Sequence, residues 1–204
     1  MAHMSDSGIT RRDFMKGAAV TAAGIAIASS GIATINLPRA FAAADLADGT
    51  YKVNANLYIS KRIVLIGVNA YFTNPTDPND GQGMPSSPNT ELNATMVVKD
   101  GTPTVTVPLV NECFMLLEAE SGGGVVVVGT KTQAGVYPDE DGNTLTRISE
   151  ITFELANTGG EYELGACREY AAYQNPPFPM SMLVPGYLEW TATLSVDFST
   201  AVTV

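Results

Sequence analysis

Histidine is all but missing from this chain. The one histidine, His3, lies in an N-terminal segment that reads as a removable leader, so the mature chain contains none. Without an imidazole there is no Ser-His-Asp or Cys-His triad, no histidine-ligated zinc and no histidine-ligated haem. Cysteine is nearly as scarce. Cys113 and Cys167 are the only two, too few for a four-cysteine zinc site or an iron–sulfur cluster within one chain. In an oxidising compartment they are expected either to form one disulfide or to remain as two buried thiols. Basic side chains are few as well. With the leader's Arg11, Arg12, Lys16 and Arg39 removed, seven remain; with Asp6 and Asp13 removed, nineteen acids remain, for a net charge near −12. That sign repels phosphate backbones and anionic lipid, so a nucleic-acid partner is not expected. Long apolar runs are rare too. Gly17 to Ile35 approaches the length that crosses a bilayer, but it is rich in Gly and Ala and only weakly hydrophobic.

What is present starts at that N-terminus. Thr10-Arg11-Arg12-Asp13-Phe14-Met15-Lys16 resembles the twin-arginine motif S/T-R-R-x-F-L-K, with Met15 in place of Leu. The apolar stretch follows, then Pro38, Arg39 and the small-residue run from Ala40 to Ala44. Ala40-Phe41-Ala42 is an A-x-A cleavage site, so cleavage is expected after Ala42, with Ala44 as second choice. Arg11 and Arg12 would be the export motif, residues 1–42 the signal peptide, and residues 43–204 a single domain without a membrane span. The expected location is outside the cytoplasm: secreted, periplasmic or attached to the cell surface.

The mature 162 residues suffice for one domain with a real core. They read as strand after strand. Thr50 to Tyr58 alternates, with Tyr51, Val53, Ala55 and Leu57 on one face, and Ile63 to Phe72 is a more continuous apolar run. Ala94 to Lys99 and Thr104 to Leu109 flank Asp100-Gly101, a strong hairpin signal. Cys113 to Leu117, Val125 to Val128, Leu145 to Leu155, Tyr162 to Cys167 and Trp190 to Phe198 complete the set. Between two of them, Gly122-Gly123-Gly124 reads as a flexible turn. No mature segment sustains a 3.6-residue period beyond two turns, and turn signals recur every ~8–12 residues. The expectation is an all-β fold, an antiparallel β-sandwich of about eight strands. Two longer loops, Asn74 to Asn93 and the four-proline stretch Gln174 to Pro185, are where function tends to sit on such a scaffold.

Several segments follow one another in a familiar order. Asp48-Gly49-Thr50-Tyr51-Lys52-Val53 opens the domain; Pro85-Ser86-Ser87-Pro88-Asn89-Thr90-Glu91-Leu92 follows; Ala94 to Leu109 carries a V-K-D-G-x-x-x-V-T-V core; Thr193 to Phe198 closes the chain. In order and spacing these are similar to NEAT (near-iron transporter) domains, exported immunoglobulin-like β-sandwiches that bind haem. The resemblance implies a haem-binding module that captures or relays haem at the cell surface, partnered by haem or a haem-donor protein. It implies that Tyr187, just before the last strand, gives its phenolate to the haem iron, a ligation that needs no histidine. The family places a second tyrosine four residues later; here that position is Thr191. The resemblance further implies a lip over the ring in which Ser86 bonds a propionate and Met84 lies against the porphyrin, with Lys52, Lys61 and Arg62 available to neutralise propionates.

Other chemistry is thinly represented. Asp139 to Thr144 followed by Glu150 places oxygens at several EF-hand positions, but the sixth position is Thr144 rather than Gly, so it reads as an acidic turn. Tyr170 and Tyr173 are three apart and face opposite ways on a strand. No catalytic constellation is visible, and the chain is not expected to be an enzyme. The alternative to haem keeps the fold and drops the cofactor: a surface interaction module for a protein or glycan, with Trp190 and Tyr187 as a stacking platform.

Overall fold

The computed structural model describes residues 46–63, 68–75, 85–138, 141–156, 159–171 and 186–204. Of residues 61–63, 68, 137, 171 and 186–190 only the backbone is described. All of these belong to the second of two compact units, Pro38–Val204; the first, Met1–Leu37, lies outside the described residues.

Two-residue alternation sets the fold. In the first strand Tyr51, Val53, Ala55, Leu57 and Ile59 are buried, while Lys52 and Ser60 on the other face are exposed. Among the described residues the strands are β1 (Gly49–Ile63), β2 (Val68–Tyr71), β3 (Ala94–Lys99), β4 (Thr102–Pro108), β5 (Phe114–Ala119), β6 (Val125–Pro138), β7 (Thr144–Leu155), β8 (Gly160–Ala171) and β9 (Gly186–Thr203). Every pairing is antiparallel. The order is β5-β8-β9-β1-β3-β4-β7-β6, with β2 added on β1. β5 also packs against β7, so the two ends of the sheet curl towards each other into a sandwich that is almost a closed barrel. The all-β antiparallel expectation holds, with nine described strands where about eight were expected.

The inner faces meet in one core. Val53, Leu57, Met96, Ile151, Phe153 and Leu194 are fully buried, and Phe72 stacks on Phe114 with centroids 4.3 Å apart and planes 9° apart. Burying each such side chain contributes about 1.5–3 kcal/mol. A smaller cluster of Met115, Leu145 and Tyr170 is separate from it. Here the Tyr170 hydroxyl donates to the Pro138 carbonyl over 3.3 Å.

The turns follow their residues. Asp100 (φ 51°) and Gly101 (φ 73°) both take the left-handed conformation that the two-residue β3–β4 hairpin requires. The Asp48 carboxylate accepts from both of their amides, at 2.9 and 3.4 Å, and so fastens this tip to the start of β1. The glycine-rich turn between β5 and β6 is not loose, contrary to the sequence expectation. Glu120 exchanges backbone hydrogen bonds with Ala166 and Gly165 at 3.0 and 3.1 Å, and the Val127 amide donates to Ser121 Oγ at 2.9 Å. Gly123 (φ 56°) lies so close to the Glu163 carbonyl that a Cβ has no room.

Candidate functional site

The outer face of β2, β1, β9 and β8 gathers the chemistry. Across it the register runs Tyr71, Tyr58, Thr193, Glu163 in one row and Asn56, Ser195, Glu161 in the next. Tyr58 and Tyr71 lie with ring centroids 4.9 Å apart, tilted by 37°. The Tyr58 hydroxyl donates to Glu161 Oε1 at 2.9 Å, and Asn69 Nδ2 donates to the Tyr71 hydroxyl at 3.3 Å. Burial, reinforced by the adjacent Glu161 carboxylate, pushes the Tyr58 phenol well above its ordinary value, so it stays protonated. Tyr71, Thr193 and Ser195 are half-buried, and Glu161 and Glu163 are exposed.

Beside this face runs the segment 85–93, held by an asparagine network. Asn56 Oδ1 accepts from the Thr73 hydroxyl and the Asn89 amide, both at 2.8 Å, and its Nδ2 donates to the Asn89 carbonyl at 3.0 Å. Asn54 Nδ2 donates to the carbonyls of Asn89 and Glu91 at 2.9 and 2.7 Å. Asn93 bonds the backbone of Ala55 in both directions at 3.0 and 2.8 Å. The Tyr71 amide donates to the Pro85 carbonyl at 2.9 Å, which ties the start of the segment to β2. The sequence reading missed both the network and the Tyr58–Tyr71–Glu161 cluster. Asn at 54 and 56, on the polar side of a strand that otherwise alternates cleanly, was the available signal.

The residues singled out from the sequence fall as follows. Ser86 is exposed, one residue beyond the Pro85 anchor; Met84 lies outside the described residues. Tyr187 pairs with Tyr170 and Thr191 with Ala166 across an unbroken stretch of β8–β9 register, and Thr191 is exposed. Trp190 pairs with Cys167. Ser86 and Tyr187 are not brought together. Pro85 is tied to Tyr71, which is level with Thr193, and Tyr187 stands six residues before Thr193 on β9. That is about 20 Å along the strand, plus roughly 14 Å across three strand spacings. Lys52 Nζ donates to Thr95 Oγ1 at 3.0 Å, near the far end of β1. Of Lys61 and Arg62 only the backbone is described, and Asp139, Glu140 and Tyr173 lie outside the described residues. Among the described residues no group of three or more His, Cys, Asp or Glu could hold a metal ion.

The cysteines take the second of the two expected forms. Cys113 and Cys167 are buried thiols, not a disulfide. The register explains it: Ala119 is opposite Cys167, while Phe114 is opposite Ala171. Cys113 is therefore about 16 Å or more along the strand pair from Cys167, far beyond the ~7 Å Cα separation that a bridge tolerates. Burial raises the Cys167 thiol above its usual value and keeps it protonated.

No curated protein matches the chain. Residues 8–28 match the family described as the TAT (twin-arginine translocation) pathway signal sequence, a span that contains Arg11 and Arg12. The match lies wholly within the leader and gives no support to the NEAT resemblance of Asp48 to Phe198. The chain is an exported protein, in which a twin-arginine signal sequence sends an all-β domain to the periplasm or cell surface.

Proposed function

We propose that the mature domain is a haem-free binding module that holds a glycan on the outer face of β2, β1, β9 and β8. The observation that carries this reading is the Tyr58–Tyr71–Glu161 cluster. A half-exposed aromatic ring beside carboxylates, hydroxyls and an asparagine amide suits a sugar, which offers an apolar ring face and a rim of hydroxyl groups. The exposed carboxylates Glu161 and Glu163 favour neutral or amino sugars over acidic ones.

A second reading keeps haem, with Tyr187 as the iron ligand and Thr191 as its hydrogen-bond donor. It draws on those two positions standing four apart in uninterrupted register. Against it stands the distance from Tyr187 to the Ser86 segment.

One pair of titrations separates the readings. With hemin in the micromolar range, the exported chain should show no saturable change in the Soret region. In affinity electrophoresis through neutral polysaccharides it should be retarded, and Tyr71→Ala should weaken that binding about tenfold or more. A Soret band abolished by Tyr187→Ala would establish the haem reading instead. Retardation unchanged by Tyr71→Ala would remove the glycan face.

A further inference from the structure

The outer side of β8 carries two carboxylates that the described side chains leave without a cation. Glu161 and Glu163 are both exposed, on one side of the strand and about 7 Å apart along it. They are not equivalent. Glu161 is opposite Ser195 and is oriented by the Tyr58 hydroxyl, which donates to its Oε1 at 2.9 Å. Glu163 is opposite Thr193 and takes part in no ion pair with the described residues. Cations are engaged elsewhere: Lys52 at Thr95, Lys131 at Glu150, Arg147 at the Leu109 carbonyl and Arg168 at Glu118. Lys99 stands at the β3–β4 tip. On β8 itself, Arg168 is level with Glu189, four residues of β9 and about 13 Å from Thr193.

Like charges so close repel each other, and bare carboxylates gain most from a ligand that brings a positive charge. Hydrogen bonds from an ammonium to a carboxylate are also about twice as strong as neutral ones. The rest of the face says what carries the ammonium. In the row of Glu163, the half-buried Thr193 comes first, then Tyr58, then the half-buried ring of Tyr71. That row spans roughly 14 Å across three strand spacings, longer than one pyranose ring. A lysine side chain of a peptide would use the carboxylates and leave the ring and the hydroxyls idle. A chain of amino sugars uses all of them: a ring face on Tyr71, sugar hydroxyls on Thr193 and Ser195, and the amino group of a neighbouring sugar at the carboxylates.

We propose that Glu161 and Glu163 hold the ammonium group of a hexosamine, so that the face selects a chain of unacetylated amino sugars over neutral or N-acetylated ones. The inference rests on the glycan reading above and adds to it the charge of the sugar. Glu163 is the specificity-determining residue, since its carboxylate is the one with no partner in the protein to give up. N-acetylation removes the positive charge and sets an apolar methyl group against the carboxylates, so acetylated and unacetylated forms of one chain are told apart.

Titration calorimetry of the exported chain with four short probes tests this: the β-linked trimers of glucosamine, N-acetylglucosamine and glucose, and trilysine. The glucosamine trimer should bind about fivefold or more tighter than each of the others. Glu163→Gln should bring it down to the level of the glucose trimer and leave the glucose trimer unchanged. Glu154→Gln, exposed on β7, removes the same charge elsewhere and should leave the preference intact, which separates the site from the general attraction of an acidic protein for polycations. Equal binding of the three sugar trimers, or a preference that survives Glu163→Gln or falls equally with Glu154→Gln, would overturn the inference while the glycan face stands. Trilysine binding as tightly as the glucosamine trimer would overturn it in favour of a basic peptide. Binding of none of the sugar trimers would remove both the inference and the glycan reading beneath it.

Discussion

Tyr58 concentrates what a single residue contributes here. It sits on the outward side of β1 yet is only 7% exposed, because Tyr71 from β2 leans on its ring and Glu161 from β8 takes its proton donor. Its phenol is raised above the ordinary value of about 10 by burial first and by Glu161 second. The consequence for stability has a definite sign. Below pH ~10 both native and unfolded chains keep the proton, and the stabilisation is complete. Above it the unfolded chain releases the proton and the native chain does not, so native stability falls as pH rises. Alkaline denaturation followed by circular dichroism should show this decline from about pH 10 upward. Tyr58→Phe should flatten the decline without altering stability near neutrality by more than the one lost hydrogen bond, about 1 kcal/mol. Sequence alternation assigned Tyr58 to the polar face correctly. Its partners were not legible, because Tyr71 and Glu161 reach it only through the β1–β2 and β8–β9 pairings. Asn56 is the same case: a strand residue two of whose four side-chain hydrogen bonds are made with Asn89 and one with Thr73, both in segments outside its own strand.

At the scale of elements, legibility follows burial. β3, β4 and the Asp100-Gly101 turn between them could be read directly, since clean alternation flanks a turn sequence with one strong preference. β6 could be read only as Val125 to Val128. Its continuation to Pro138 has mostly exposed side chains on both faces, so no apolar period marks it. The turn from Ser121 to Gly124 was misread for the opposite reason. Three glycines in a row suggest freedom, but here two of them, Gly122 and Gly123, permit backbone contact with β8. Gly123→Ala should therefore be costly, about 2–4 kcal/mol, from a left-handed φ and an overlap with the Glu163 carbonyl together. Gly101→Ala, which has the φ penalty and open space around it, should cost about 1–2 kcal/mol. The urea midpoints of the two variants test the ranking.

For the whole molecule, the leader and the sandwich were the readable parts. A signal sequence is recognised as linear sequence, and a sandwich is announced by repeated alternation; neither needs knowledge of long-range register. The disulfide question and the haem site did need it. Motif order brought Ser86 and Tyr187 near each other on paper, whereas the pairings through β2 and β9 set them apart. Replacing Arg11 and Arg12 together by Lys should leave the unprocessed chain inside the cell and deplete the exported fraction, as immunoblots of cell fractions would show; export undiminished would mean another route carries it. Once outside, the domain presents its ends in a particular way. Tyr51 near the start of β1 is opposite Thr203 near the end of β9, and the Val204 amide donates to the Thr50 carbonyl at 3.0 Å. Force applied between the two ends would thus not drag one strand along another against all its hydrogen bonds at once. It would peel β1 from β9 pair by pair, like a zip opened from its tab, each step breaking one pair while the rest still hold.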